Sequence, residues 1–171
     1  MRIRYSFLGV FLALAPSAYS LEIRPPVLSP LQQQEQAAHL SAQFLTGYAY
    51  KPVPLDDALS AKIMTRFIAS LDPDRLFFLQ ADIDTFTADS AKIDDAILQK
   101  NLDIPFAIFN TYSQRVVDRI TYARSLLKQD FDFSVQEDYS LTRDKDPWPN
   151  SEPQMEDLWR KRVKSDSLSP S

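Results

Sequence analysis

The sequence predicts an all-α fold, a single helical domain of about five helices joined by proline-rich connections. Three observations predict it. Apolar residues recur at helical spacing in successive windows. Pro52, Pro54, Pro73, Pro147 and Pro149 fall between those windows, where proline breaks helices without destabilising them. Beyond residue 20 the single glycine is Gly47, and tight primed hairpin turns, which favour glycine, are correspondingly scarce.

Residues 1–20 read as a secretory signal peptide. Arg2 and Arg4 make a basic start, Phe7 to Ala15 an apolar run, and Ala18-Tyr19-Ser20 a small-residue cleavage site between Ser20 and Leu21. The run is about half the roughly 20 apolar residues needed to span a bilayer. Pro25, Pro26 and Pro30 then make residues 21–35 an extended N-terminal segment leading into a helical domain over 36–168.

Ser29 and Pro30 supply an N-cap and first position for the opening helix, which carries Ala37, Leu40, Phe44, Leu45 and Tyr48 on one stripe. Tyr50-Lys51-Pro52-Val53-Pro54 breaks it. A second helix begins near Asp56 and Asp57, acids suited to the positive end of its dipole. Leu59, Ile63, Phe67 and Leu71 form its stripe, widened by Ile68, and Asp72-Pro73-Asp74 ends it. Leu76-Phe77-Phe78-Leu79 is too apolar to face water; it is a buried turn or the start of a third helix running through Ile83, Phe86, Ile93 and Ile97.

The longest helix is predicted from Ile104 to Lys128. Phe109, Tyr112, Val116, Ile120, Ala123 and Leu127 face inward, and Gln114, Arg115, Asp118 and Arg124 face water. Alternation of Phe131, Phe133 and Val135 allows a short strand. Asp146-Pro147-Trp148-Pro149 forces an extended crossing. Ser151 and Gln154 then form a capping box for a last helix with Met155, Leu158, Trp159 and Val163 as its stripe.

Composition excludes several function classes. The 19 basic and 23 acidic side chains give a net charge of −4, and removal of Arg2 and Arg4 leaves 17 and 23, a net −6. An acidic chain without a basic block lacks the footprint of a nucleic-acid binder or of a protein held on anionic lipid. Zero cysteines mean that the core alone holds the domain. With Gly47 alone available, no phosphate-cradling loop, dinucleotide fingerprint or nucleophile elbow can be built. No cofactor is expected.

The chemistry-bearing residues point the same way. His39, the sole histidine, stands on an apolar helix without an identifiable nucleophile, and one histidine with no cysteine is a poor zinc set. Carboxylates are plentiful, Asp72, Asp74, Asp82 and Asp84 among them, but they sit where Asp caps helices or faces water. Asp82-x-Asp84 lacks the glycine and terminal glutamate of a calcium loop. Ser60/Lys62 and Ser90/Lys92 are two residues apart, pointing away from each other on a helix, and read as surface residues. Phe77, Phe78, Trp148 and Trp159 read first as core, and as lining a peptide groove second. Trp148, flanked by Pro147 and Pro149, must dock either on its own core or on a partner.

Two segments carry a resemblance. SAKIMTRFIASLDPDRLFFLQADIDTF, residues 60–86, and YSLTRDKDPWPNSEPQMEDLWRKRVKSDSLS, residues 139–169, resemble in order the motifs of the N-terminal domain of tail-specific (carboxy-terminal processing) proteases of Gram-negative envelopes. Pro147, Trp148, Pro149, Leu158, Trp159, Val163 and Lys164 match the family's Pro-Trp-Pro and Leu-Trp-x-x-x-Val-Lys elements. The resemblance implies a periplasmic serine endopeptidase with a Ser-Lys dyad and a PDZ domain, both placed after this domain in the family. With the chain ending at Ser171, neither part falls on any residue here, and no catalytic residue is expected. Leu168-Ser169-Pro170-Ser171 departs from the family pattern, which suggests a premature stop or frameshift.

Three readings follow. The first is a non-catalytic scaffold or docking fragment of such a protease, whose partners are a helical-repeat lipoprotein adaptor or separately encoded protease domains. The second is a stand-alone binding module using Phe77, Phe78 and Trp148. The third is an enzyme in two pieces.

Overall fold

The structure, a computed structural model, describes residues 24–48, 50–51 and 53–168. The segment expected to be a signal peptide, with its expected cleavage site between Ser20 and Leu21, and residues 169–171 lie outside the described residues. The fold is all-α. Its helices are α1 (Gln32–Gly47), α2 (Asp57–Leu71), α3 (Gln80–Thr87), α4 (Ile93–Leu98), α5 (Asp103–Leu126) and α6 (Glu152–Asp166), with a 3-10 turn at Ser90–Lys92 before α4.

Helix starts follow local chemistry. Asp56 caps α2 by accepting a hydrogen bond from the Leu59 N–H at 2.9 Å. In α3 the third residue, Asp82, reaches back to accept from the Leu79 N–H, also at 2.9 Å, satisfying donors that a helix start leaves unpaired. The first helix starts later than Ser29-Pro30 predicted. Leu31 is its N-cap, and Gln34 accepts from the Leu31 N–H. The extended segment therefore stops short of residue 35. Ser151 is the N-cap of α6 but makes no side-chain cap bond; Gln154 accepts instead from the Asn150 N–H at 2.9 Å.

Three further expectations are corrected. The third helix is not continuous: it ends at Thr87, and the chain re-enters helix at Ile93, which lets Ile83, Phe86 and Ile93 converge on one core. No strand forms among the described residues. At 131–135 the Asp132 carboxylate instead accepts from the Ser134 N–H and hydroxyl, making a side-chain-stabilised turn. The inward face of α5 is rotated from the predicted stripe. Ile108, Arg119 and Leu126 are buried, whereas Phe109, Ile120 and Leu127 are exposed.

Two apolar clusters hold the domain. Met64, Ile68, Phe78, Ile83, Phe86, Ile93 and Ile108 form one, and Leu76, Leu79, Met155, Leu158 and Trp159 the other. The Leu76–Leu79 turn joins them: Phe78 enters the first cluster, while Leu76 and Leu79 enter the second. This turn is buried, as its apolar density required. By contrast α1 has no buried residue, and Leu40, Phe44, Leu45 and Tyr48 are all more than half exposed.

Candidate functional site

The turn after α2 is organised by one carboxylate. Asp72 is 1% exposed and accepts four hydrogen bonds. The N–H groups of Leu76, Phe77 and Phe78 donate at 2.7, 3.2 and 3.1 Å. The fourth comes from the Trp148 indole Nε1–H at 3.1 Å. A carboxylate can be buried when its lone pairs are met in this way. Pro73 cannot donate and helps end α2. Arg75 adopts a positive φ of 54°, which reverses the chain so that the next three N–H groups converge on Asp72.

The same turn captures the Pro-Trp-Pro crossing. The Gln80 N–H donates to the Pro149 carbonyl at 2.9 Å. Arg75 lies 4.3 Å from the Trp148 ring centroid and donates through Nη1 to the Asp146 carbonyl. Trp159 of α6 donates from Nε1 to the Leu76 carbonyl at 2.7 Å. Phe77 meets Tyr112 edge-on and Trp159 at a tilt, and Phe78 meets Phe86 edge-on at 5.3 Å. Of the six residues singled out by the sequence, Phe78, Pro149 and Trp159 are buried, Phe77 and Trp148 are half-buried, and Pro147 is exposed. Beside them an open groove of about 370 Å³ is lined by Tyr139, Arg143, Pro147, Trp148 and Lys161, among others.

A second polar cluster pins three helices together. Arg115 of α5 makes a bidentate pair with Asp82 of α3 at 3.0 and 2.9 Å, and its third nitrogen donates to Glu152 of α6 at 2.9 Å. Arg119, 4% exposed, donates to both oxygens of Glu152, while its Nε is buried without a partner. The bond from Arg119 holds the Glu152 carboxyl below its ordinary pKa, and the bond to Asp82 raises that of Arg115. Arg115 was expected to face water; it faces helix α3 instead. Asp72, Arg75, Arg119 and Glu152 are contributors that sequence reasoning missed. Only Asp72 carried a signal, an Asp-Pro turn start directly before an apolar cluster.

The catalytic candidates resolve into structural roles. His39 bridges α1 and α4, with Nδ1–H donating to the Ile97 carbonyl at 3.2 Å and Nε2 accepting from Gln43 at 3.0 Å. Ser60 is not at the surface: it is fully buried, donates to Asp94 Oδ1 at 2.8 Å and accepts from the Asp94 N–H at 2.9 Å. Lys62 is exposed, and Lys92 pairs with Asp89 at 2.6 Å. Among the described residues no group of three His, Cys, Asp or Glu side chains could hold a metal ion, and no helix is long and apolar enough to cross a membrane.

The contact between Asp72 and Trp148 joins the two segments that carry the resemblance. A family model described as the tail specific protease N-terminal domain matches residues 41–170. The chain belongs to this family. It is similar to a tail-specific protease of Haemophilus influenzae, 32% identical over 173 residues that cover 96% of this chain and 24% of that protein. This tail-specific protease N-terminal domain thus spans about a quarter of the length of that relative, and both junction motifs lie inside the family match.

Proposed function

We propose that this chain is a non-catalytic scaffold and docking domain of a periplasmic tail-specific serine endopeptidase, which processes envelope proteins from their C-termini. The observation that carries the docking part is α1. Its apolar stripe of Leu40, Phe44, Leu45 and Tyr48 stays more than half exposed, while the rest of the domain is tied rigidly through Asp72, Trp148 and the Arg115–Glu152 cluster. Exposed apolar side chains gathered on one helix mark an interaction surface. A PDZ-containing catalytic region and a helical-repeat lipoprotein adaptor are the partners this reading expects. Export through the basic and apolar start of the chain supplies the location.

The test is a cleavage assay on casein and on a C-terminally tagged substrate, with and without a PDZ and Ser-Lys region supplied in trans. No cleavage alone and cleavage with the second piece is the expected result. Cleavage by this chain alone would overturn the reading. The groove beside Pro147 and Trp148 favours a second reading, a peptide-binding module; peptide binding without any effect on a catalytic region in trans would select it.

A further inference from the structure

Helix α1 contributes small side chains, Ala38, Ser41 and Ala42, to its seam with α2 and α4. Larger residues there would fill the seam. Instead it holds an open chamber of about 420 Å³, walled by Leu45, Val53, Leu55 and Leu59. A further chamber of about 200 Å³ continues inward to Phe67, Ile93 and Ile108. Both share Ala38, Ile63 and Ile97 as wall residues, so the two chambers adjoin at these side chains and together make one apolar slot along the seam. Even the inner part exceeds the roughly 150 Å³ apolar cavity that admits benzene.

The chemistry of the walls decides what can enter. They are almost entirely carbon. The Thr46 hydroxyl is committed to the Ala42 carbonyl at 2.9 Å, and the Asn101 side chain to Asp103 at 2.7 and 3.1 Å. A peptide, sugar or nucleotide would bring polar groups into a site with few partners for them, leaving those groups desolvated and unpaired. An alkyl chain brings none. Lys51 is the single charged wall residue of either chamber among the described residues, and it is exposed at the outer one. A cation beside an otherwise carbon-lined opening complements an anionic head on an apolar tail. Helix α1 has no buried residue and is joined to α4 by His39 donating to the Ile97 carbonyl.

We propose that this slot binds a single-chain amphiphile, a fatty acyl chain whose anionic head meets Lys51. The proposal is distinct from the docking role of the exposed α1 stripe, with which the slot shares Leu45 alone among the described residues.

The test is calorimetric titration of the full chain with laurate below its micelle concentration, with decanoate and 1-dodecanol alongside. One saturable laurate site is expected, tightening by roughly fourfold per methylene from decanoate to laurate. Ala38→Phe fills the junction of the chambers and is expected to weaken laurate by about tenfold or more, with its melting temperature recorded in parallel. Lys51→Met changes an exposed residue and keeps the fold. It is expected to weaken laurate by about two- to fivefold and leave dodecanol unchanged. Absence of a saturable site, affinity independent of chain length, or laurate binding unaltered in Lys51→Met would each overturn the proposal. So would concentration-dependent dimerisation abolished by Ala38→Phe without laurate binding, which would assign the slot to a second copy.

Discussion

The indole of Trp148 donates to the buried carboxylate of Asp72 across 76 positions of sequence, at 3.1 Å. The contact converts a helix stop and a proline-flanked crossing into one junction. Asp72 simultaneously gathers three backbone N–H groups, so the turn and the crossing depend on the same two oxygens.

Asp72→Asn keeps the shape of the side chain but replaces one acceptor oxygen with an NH2 group facing donors. Destabilisation of about 2–4 kcal/mol is expected, measured by urea unfolding. Trp148→Phe removes the N–H and is expected to cost about 1–2 kcal/mol. In the double variant the two losses should not add, because both remove one bond. Additive losses would show that the indole is held by packing alone.

Met155, completely buried against Trp159 and Leu79, tests the second core. Met155→Ala is expected to cost about 2–5 kcal/mol, seen as a lower urea midpoint with an unchanged slope. A loss below about 0.5 kcal/mol, the range of surface substitutions, would contradict the burial of α6.

Arg119 and Glu152 are unequal partners: the arginine side chain is 4% exposed and the glutamate 46%. Glu152→Ala leaves a buried guanidinium without its carboxylate, whereas Arg119→Met removes the buried charge with its desolvation cost. The glutamate substitution is expected to be the more damaging, by about 1–3 kcal/mol, with the gap reduced because Glu152 is half in water. Thermal melts of the two single variants decide the order.

Acid stability should follow Glu137. Hydrogen bonds from Arg160 and Lys164 pull its carboxyl from 4.5 down to about 2. A carboxyl whose folded pKa is depressed stabilises the fold fully above its unfolded pKa and loses that contribution as pH falls through the folded one. Melting temperature should therefore drop between about pH 4.5 and 2. Glu152 and Asp157, also held low by arginine or lysine partners, add to the slope. Glu137→Gln should flatten that fall; an unchanged profile would place the acid sensitivity elsewhere.

Phe44 and Tyr48 pack against each other with tilted rings, centroids 5.6 Å apart, on the outside of α1. Phe44→Ser with Tyr48→Ser is expected to shift stability by about 0.5 kcal/mol per site or less, yet to weaken restoration of cleavage by a catalytic region in trans. A large stability loss would mean that the stripe is core.

What the sequence determined by itself was local. Proline placement and helical periodicity specified all-α architecture, and Asp56, Asp72-Pro73 and Ser151 marked helix ends because caps and prolines act within one turn. The apolar face of α6 was legible because it offers one stripe, from Met155 to Val163. That of α2 was read one position off, since Ser60, Met64 and Ile68 are its buried residues and Leu59, Ile63, Phe67 and Leu71 are half-buried. Helix α5 was not legible in the same way. Its two sides both carry apolar residues, and periodicity cannot say which one meets a neighbour. Tertiary packing chose Ile108, Tyr112 and Leu126, and admitted Arg115 and Arg119 because Asp82 and Glu152 arrive from other helices to neutralise them. The break at Thr87, the fourfold use of Asp72 and the exposure of α1 were decided the same way. Each depends on groups dozens of residues apart, whose proximity exists only once the chain has folded.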